Sequence, residues 1–379
     1  MNYTEKLREL DLHIVAFDVP FPADYGGVID VFYKAKSLND LGLRIALHVF
    51  DYGRGRQAGL EKIAAEVHYY PRKNNLLKQL SSLPFIVNSR SSELLLRRLK
   101  ADQAPILFEG LHSTYYLNHP DLANRNKIVR THNVEHDYYS ALSEAHKGWR
   151  KFYFKWEAKR LLQYEKVLDA ASYILAISQS DQKYFEKYKA KVHLLFPFHP
   201  FQVEEHQFSQ EDFALYHGNL AVAENQKAAE FLLTVFADLD YKLVISGKNP
   251  RADLKQKIKQ FHQVQLIENP NEAELKQLIQ TTKVNCLPTF QATGVKLKLI
   301  RALIEGNNLL VNSTILEGTN LNHFCEIANT KEEWQQKLVE VFLNGKSQNE
   351  IIQRQNAAAS IFDNQKSAML LKELCVPAQ

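Results

Sequence analysis

Short apolar and β-branched runs, each followed by a stretch of helical periodicity, recur along this chain in two successive series, and no other feature restricts its fold as much. In the first half the strand candidates are His13–Phe17, Arg44–Phe50, Ile106–Phe108, Lys127–Thr131 and Tyr173–Ile177, with helices such as Val28–Leu41 between them. In the second half they are Phe213–His217, Lys242–Ser246, Gln265–Ile267, Val284–Leu287 and Leu309–Val311. Strand then helix, repeated, is the pattern of parallel strands joined by crossover helices, so the expected class is α/β. The rhythm restarts near residue 210. A chain of 379 residues with 45% hydrophobic content is too long for one ordinary core and long enough for two. Between the series lies Leu195–Phe201, whose Pro197 and Pro200 prevent a continuous helix or central strand, followed by the polar stretch Gln202–Asp212. These readings place one domain at 1–200, a second at 201–360, and a C-terminal segment at 361–379. That last segment belongs to a helix read over Asn349–Leu374, expected to cross back to the first domain.

The cysteines Cys286, Cys325 and Cys375 are odd in number and lack metal-like or redox-like spacing, which argues against a secreted disulfide framework and for a reducing cytoplasm. The first apolar run, Ile14–Phe17, is short and follows the charged stretch Glu5–Asp11, unlike a signal peptide, and no apolar run reaches membrane-spanning length. Charge is uneven. Residues 1–200 hold 29 Lys and Arg against 22 Asp and Glu, and the rest hold 18 against 21, so the first half is near +7 and the second near −3. The partner of the first half is therefore expected to be acidic: an anionic membrane surface, a phosphorylated acceptor or nucleic acid.

Polar groups gather just beyond several strands, on the side where open α/β sheets bind ligands. Phe17–Val28 follows the first strand and ends at a helix start, where Gly26 and Gly27 let backbone amides approach a phosphate. A tight loop needing positive φ angles explains the same pair without a ligand. Val129–Tyr139 brings Arg130, His132, Asn133 and Glu135 past another strand, and Phe108–Ser113 brings Glu109 and His112. In Pro288–Gly306, apolar Leu297, Ile300, Leu303 and Ile304 mark one helical face, so Thr293 and Gly294 open a helix that Gly306 ends. Lys296 and Lys298 fall in the first turn of this Val295–Glu305 helix, where the helix dipole disfavours cations. A bound diphosphate explains them, and two solvated lysines are the plainer alternative. Arg301 and Glu305 read as an i,i+4 ion pair in preference to a Glu305 that reaches a sugar or ribose hydroxyl.

Taken together, Pro22–Gly27, Arg130–Glu135, Ala176–Ser180, Tyr216–Leu220, Val244–Lys248 and Thr293–Ala302 resemble the family 4 retaining glycosyltransferases of the GT-B fold, over nearly the whole chain. The resemblance implies two facing Rossmann-like domains with parallel sheets and a deep interdomain cleft, the first serving the acceptor and the second the nucleotide-sugar. It implies that Gly26 and Gly27 lie near the donor phosphates and that His132 contacts the transferred sugar. Gly218 opens the first loop of the nucleotide domain, Asn219 standing where the family often has arginine, and Lys248 belongs to the same donor-binding set. Thr293, Gly294, Val295, Lys296 and Lys298 match the segment that holds the diphosphate, while Leu266, Ile267 and Glu268 are placed near the base. The family's pair of glutamates across the last segment is missing, Thr293 and Arg301 standing in their places. An arginine accepts no hydrogen bond from a ribose, so Glu305 or Glu317 substitutes, donor binding differs, or activity is lost.

The activity so implied is transfer of a hexose-type sugar from a nucleotide-diphosphate sugar to a glycan or lipid-linked acceptor, with retention of configuration. Lys296, Lys298 and the amides after Gly294 stabilise the departing diphosphate. His132, Asp24 and Glu109 are the candidate catalytic residues, the two carboxylates as acceptors of the incoming hydroxyl's proton. No metal or other cofactor is expected, since there is no compact Asp-x-Asp motif. Trp149, Phe152, Tyr153 and Trp156 repeat at helical spacing among the basic residues of Lys147–Arg160. Such a helix suits an anionic membrane at the inner face of the cytoplasmic membrane, although an aromatic stripe packed into the first domain is the preferred reading. A nucleotide-sugar-binding partner subunit without turnover is the alternative function. Nucleic-acid binding has no base-reading motif behind it, and an oxidoreductase lacks Gly-x-Gly-x-x-Gly.

Overall fold

The computed structural model describes residues 9–74, 81–204, 211–291 and 294–375. The chain forms two compact units, one holding residues up to His199 together with those from Asp363 onward, the other running Pro200–Phe362. In the first unit β1 (Leu12–Ala16), β2 (Ile45–Asp51), β3 (Glu66–Pro71), β4 (Ile106–Glu109), β5 (Lys127–Arg130), β6 (Tyr173–Ala176) and β7 (Lys191–Leu194) make one sheet, in the order β3-β2-β1-β4-β5-β6-β7. Every pairing is parallel. Central strands are buried along their length, which is why they read as continuous apolar runs. Helix α1 (Gly26–Asp40) lays Val31, Ala35 and Leu38 on one face of the sheet. Further along come α2 (Glu135–Ala145) and α3 (Trp149–Tyr164), whose Leu161 joins the core on the other face.

The second unit repeats the plan with β8 (Glu211–Asn219), β9 (Lys242–Lys248), β10 (Val264–Glu268), β11 (Thr282–Leu287), β12 (Asn308–Val311) and β13 (Glu326–Ile327), ordered β10-β9-β8-β11-β12-β13 and all parallel. Its helices include α4 (Ala223–Phe236), α5 (Ala252–Ile258), α6 (Leu297–Glu305) and α7 (Gln348–Ile361). Arg354 of α7 donates to the carbonyls of Gly306 and Asn307, which ties α7 to the end of α6. In each sheet the strand order reverses once, between β1 and β4 and between β8 and β11, and that reversal opens a crevice at the strands' carboxyl ends.

All ten anticipated strands are present, and three more, β3, β7 and β13, lie at sheet edges. Instead of the single helix over Asn349–Leu374 there are two, α7 and α8 (Asn364–Cys375). The Asp363 carboxylate accepts from the amides of Gln365 (2.7 Å) and Lys366 (3.2 Å), which starts a new helix in place of the old one. α8 lies in the first unit, where Ala368, Leu371 and Cys375 share a core with Val31, Ala35 and Leu38. The three cysteines are buried and unpaired, and among the described residues no helix is long and apolar enough to cross a membrane.

Candidate functional site

At the carboxyl end of β1 the chain runs through Phe17 into a loop held by Asp18, which accepts from its neighbour's amide (Val19, 2.8 Å) and from the Tyr25 hydroxyl (2.7 Å). Gly26 and Gly27 are the first two residues of α1, which starts with no side-chain cap and no acidic residue in its first turn. Neither glycine has a positive φ. The tight-loop explanation therefore fails; Gly27 answers to crowding, because a Cβ there would sit 2.7 Å from the Phe17 ring. Asp24 is exposed and paired with Arg54 at 2.5 Å, and Arg54 also donates to the Pro22 carbonyl (2.7 Å).

Glu109, the last residue of β4, is fully buried and takes both of its oxygens to the Lys34 ammonium, at 2.7 and 2.9 Å. His132 Nε2 lies 3.0 Å from the same carboxylate, and Nδ1 lies 3.8 Å from Asp30. Asp30 in turn pairs with Lys34 (3.2 Å) and Arg130 (3.1 Å) and accepts from the Phe198 amide (2.7 Å). Burial alone would raise the Glu109 carboxyl, but Lys34 and His132 outweigh it and hold it below the usual carboxylate range. For Asp30 the balance against burial is struck by Arg130 and Lys34, with the same sign. Asp30, Glu109 and His132 offer ligand-type atoms within 4.8 Å of one another, yet the Lys34 ammonium already bridges the two carboxylates where a cation would go. The network orients His132, whose ring meets the Phe17 ring edge-on at 5.3 Å. Gly110 keeps φ at +68°, and a Cβ there would fall 2.9 Å from His112 Nδ1 and 3.5 Å from His132. Only glycine lets both imidazoles crowd this turn. Spacing alone did not point to Lys34, Asp30 or Gly110, although an i,i+4 acid–base pair on the buried face of α1 was a usable signal.

In the second unit Gly218 and Asn219 close β8 and lead toward α4. The Asn219 side chain accepts from the Ala221 amide (3.1 Å), and its carbonyl accepts from Asn225 (3.1 Å). Beyond β11, Gly294 turns with φ +58° and Val295 is buried. The helix begins at Leu297, two residues later than expected, so Lys296 is its N-cap in extended backbone and Lys298 its second residue. α6 has no side-chain cap and no acid in its first turn; the Leu299 amide returns to the Lys296 carbonyl (2.9 Å), which leaves the amides of Leu297 and Lys298 to meet an anion. Lys298 Nζ donates to Asn225 Oδ1 at 3.2 Å and lies 3.5 Å from the Tyr216 hydroxyl. Burial pushes its ammonium down to about 8, against the pull of Glu224. Lys296 lies 3.7 Å from Glu224, which also accepts from the Thr289 hydroxyl. Neither Glu224 nor Asn225 stood out in the sequence; both belong to the first turn of the helix after β8, a position that was the available clue. Thr293 lies outside the described residues.

The remaining candidates sit apart from this loop. Lys248 is exposed at the end of β9. Leu266 and Glu268 line an open hollow of about 550 Å³ against α5, Ile267 is half buried between them, and Glu268 pairs with Lys255 at 2.5 Å. Glu305 is buried at the far end of α6 and receives Arg301 Nε at 2.8 Å, while Arg301 Nη2 reaches Glu272 at 2.5 Å. The ion pair preferred from sequence is thus formed. The preferred packing of the aromatic stripe is not, for three of its four members: Tyr153 is half buried, while Trp149, Phe152 and Trp156 of α3 are 73%, 72% and 43% exposed. They stand out because Glu157, Ala158 and Leu161 occupy the buried face instead.

No protein-family model matches this sequence. It is 26% identical over 335 residues to an uncharacterized 44.6 kDa protein in the cps region of Klebsiella pneumoniae, spanning 82% of this chain and 84% of that one. Among solved structures it is similar to Anabaena HepE in complex with UDP and glucose, at TM-score 0.65 and 13% identity over 96% of this chain and 99% of that one. TarM is similar at TM-score 0.66 and 10% identity, over 97% and 99% of the two chains. WaaG, a glycosyltransferase involved in lipopolysaccharide biosynthesis, is similar at TM-score 0.63 and 9% identity, over 97% and 100%. The fold is therefore GT-B: two α/β domains with parallel sheets of seven and six strands.

Proposed function

We propose that this protein is a glycosyltransferase that takes a hexose-type sugar from a nucleotide-diphosphate sugar and passes it to a glycan or lipid-linked acceptor with retention of configuration. The observation that carries the reading is Lys298. It is an ammonium set in the first turn of an uncapped helix, beside the strand-order reversal, with no carboxylate in ion-pair range among the described residues. A lysine there, with its charge disfavoured by burial and by the helix dipole, is accounted for by a diphosphate that supplies the missing negative charge. In this reading the α6 amides and Lys298 oppose the charge that develops on the departing diphosphate, with Lys296 alongside. His132, fixed by Glu109, hydrogen-bonds the transferred sugar, and Glu109 acts as a positioning residue because its oxygens are already taken by Lys34 and His132. Lys34 and Arg130 balance the two buried carboxylates, so the scheme calls for no metal. The exposed Trp149, Phe152 and Trp156, flanked by exposed Arg150, Lys151, Lys155 and Lys159, support a peripheral contact with the anionic inner face of the cytoplasmic membrane.

A second reading, a sugar-nucleotide-binding subunit without turnover, is favoured by one observation: Arg301 stands at a family glutamate position and is neutralised by Glu305 and Glu272, so it offers a ribose no acceptor. Incubation with a panel of UDP-, GDP- and ADP-sugars separates the two. Release of free nucleotide with a sugar product or hydrolysed sugar supports transfer, binding without release supports the subunit, and binding of none contradicts both.

A further inference from the structure

We propose that Arg72, Arg90, His112 and Glu135 form an anion subsite in the first unit that receives a phosphoryl group of the acceptor. The proposal rests on the glycosyltransferase reading and adds to it the chemical class of the second substrate. Three of the four lie beyond strand ends, Arg72 after β3, His112 after β4 and Glu135 at the first position of α2 after β5, and Arg90 is tied to the loop after β1 through Phe17. Arg90 is 3% exposed and donates Nε to the Phe17 carbonyl (2.7 Å) and Nη1 to the Ile86 carbonyl (2.6 Å). Arg72 donates Nε to Ser89 Oγ (3.2 Å), and its guanidinium lies over the rings of Tyr52 (4.6 Å) and Phe85 (5.4 Å). Among the described residues the partners of these two arginines are a hydroxyl and backbone carbonyls, with no carboxylate within ion-pair distance. The buried Arg90 guanidinium without a counter-ion is costly, and the like charge of the half-buried Arg72 adds to that cost, so the pair calls for a negative ligand.

The other two groups turn the same way. Glu135 is 3% exposed, and its Oε1 is buried with no hydrogen-bond partner, as is His112 Nδ1, 3.6 Å away. Burial pushes the Glu135 carboxyl up to about 8, against the pull of Arg90, which favours its protonated, hydrogen-bond-donating form. Burial, together with the charges of Arg90, His132 and Arg72, holds His112 neutral. The first turn of α2 has no side-chain cap; the Asp137 amide returns to the Val134 carbonyl (3.1 Å), which leaves the amides of Glu135 and His136 as further donors. The set therefore presents donors and two uncompensated positive charges, which match a phosphoryl group; a sugar hydroxyl needs neither charge. The excess of basic residues in the first half of the chain has the same sign.

The test is calorimetric titration of the full chain, already saturated with UDP, with inorganic phosphate and with glycerol phosphate. A parallel arm uses phosphatidylcholine vesicles with and without phosphatidic acid. Saturable phosphate binding that weakens about tenfold or more in Arg72→Gln and in His112→Ala, with UDP affinity intact, is the expected result. Glu135→Gln keeps a donor and should stay within about threefold of wild type, whereas Glu135→Ala should fall with the others. Arg72-dependent binding in the soluble arm identifies a free phosphate, and in the vesicle arm alone a lipid headgroup. Absence of binding in both arms, or binding undiminished in Arg72→Gln and His112→Ala, overturns the proposal. Failure of wild-type protein to bind UDP counts against the donor reading instead, and the phosphate titration is then read without nucleotide.

Discussion

Lys298 has Asn225 and Tyr216 as neighbours where a lysine would ordinarily have water or a carboxylate. Lys298→Ala should weaken UDP binding by roughly tenfold or more, measured by calorimetry, since a charge-assisted contact to phosphate is lost. Lys298→Met should weaken binding similarly while raising the thermal midpoint, because a charge held away from water with no carboxylate partner costs the folded state and methionine removes it. The pH dependence has a definite sign. The free ammonium loses its proton as pH rises through about 8, below its ordinary 10.5, so nucleotide affinity should fall over that range and the fall should vanish in Lys298→Met. In the first unit, Lys34→Met strands Asp30 and Glu109 in the core and should cost about 3–5 kcal/mol by denaturant titration. Both carboxyls are held low in the native protein, so their contribution persists above the usual carboxylate range and is lost as pH falls through their lowered values. Without Lys34 that loss should begin at higher pH. At this scale the sequence showed where His132, Glu109 and Lys298 would stand, at strand ends and a helix start. It did not show what each touches, because Lys34 with Glu109 and Lys298 with Asn225 are pairings across 75 and 73 residues that no local spacing encodes.

Elements were legible in proportion to their burial. The ten strands read in advance include every central one, whose continuous apolar runs follow from cover on both faces. The three that escaped are edges: β3 is Glu66-Val-His-Tyr-Tyr-Pro71 with one fully buried position, β7 has none, and β13 is two residues long. Half-covered strands need less apolar sequence and so leave a weaker pattern. The helix α3 shows the converse error. Its aromatics carried the helical period, but the period alone does not say which face is inward, and Trp149, Phe152 and Trp156 proved to be outward. Replacing Trp149 and Phe152 together by serine should lower sedimentation with anionic vesicles severalfold while leaving UDP affinity and thermal midpoint unchanged. Loss of the thermal midpoint instead would make the stripe a packing feature.

Over the whole molecule, the chain leaves the first unit at His199 and returns to it at Asp363, so the core under α1 is completed by the last helix. Leu371→Ala in α8 should therefore destabilise the first unit by about 2–5 kcal/mol, seen as an earlier unfolding transition with UDP affinity retained up to that transition. The two sheets share one strand order, and each turns its polar loops out where that order reverses; this makes the loops after β8 and β11 a single candidate site although 70 residues separate Gly218 from Pro288. Donor binding in the second unit comes down to a diphosphate resting at the start of α6. Crystals soaked in turn with UDP, GDP and ADP test it most directly. The expected result is a nucleotide whose diphosphate lies within hydrogen-bonding reach of Lys298 Nζ and the first α6 amides. A nucleotide bound elsewhere, or none bound while that helix start stays open to solvent, would contradict it.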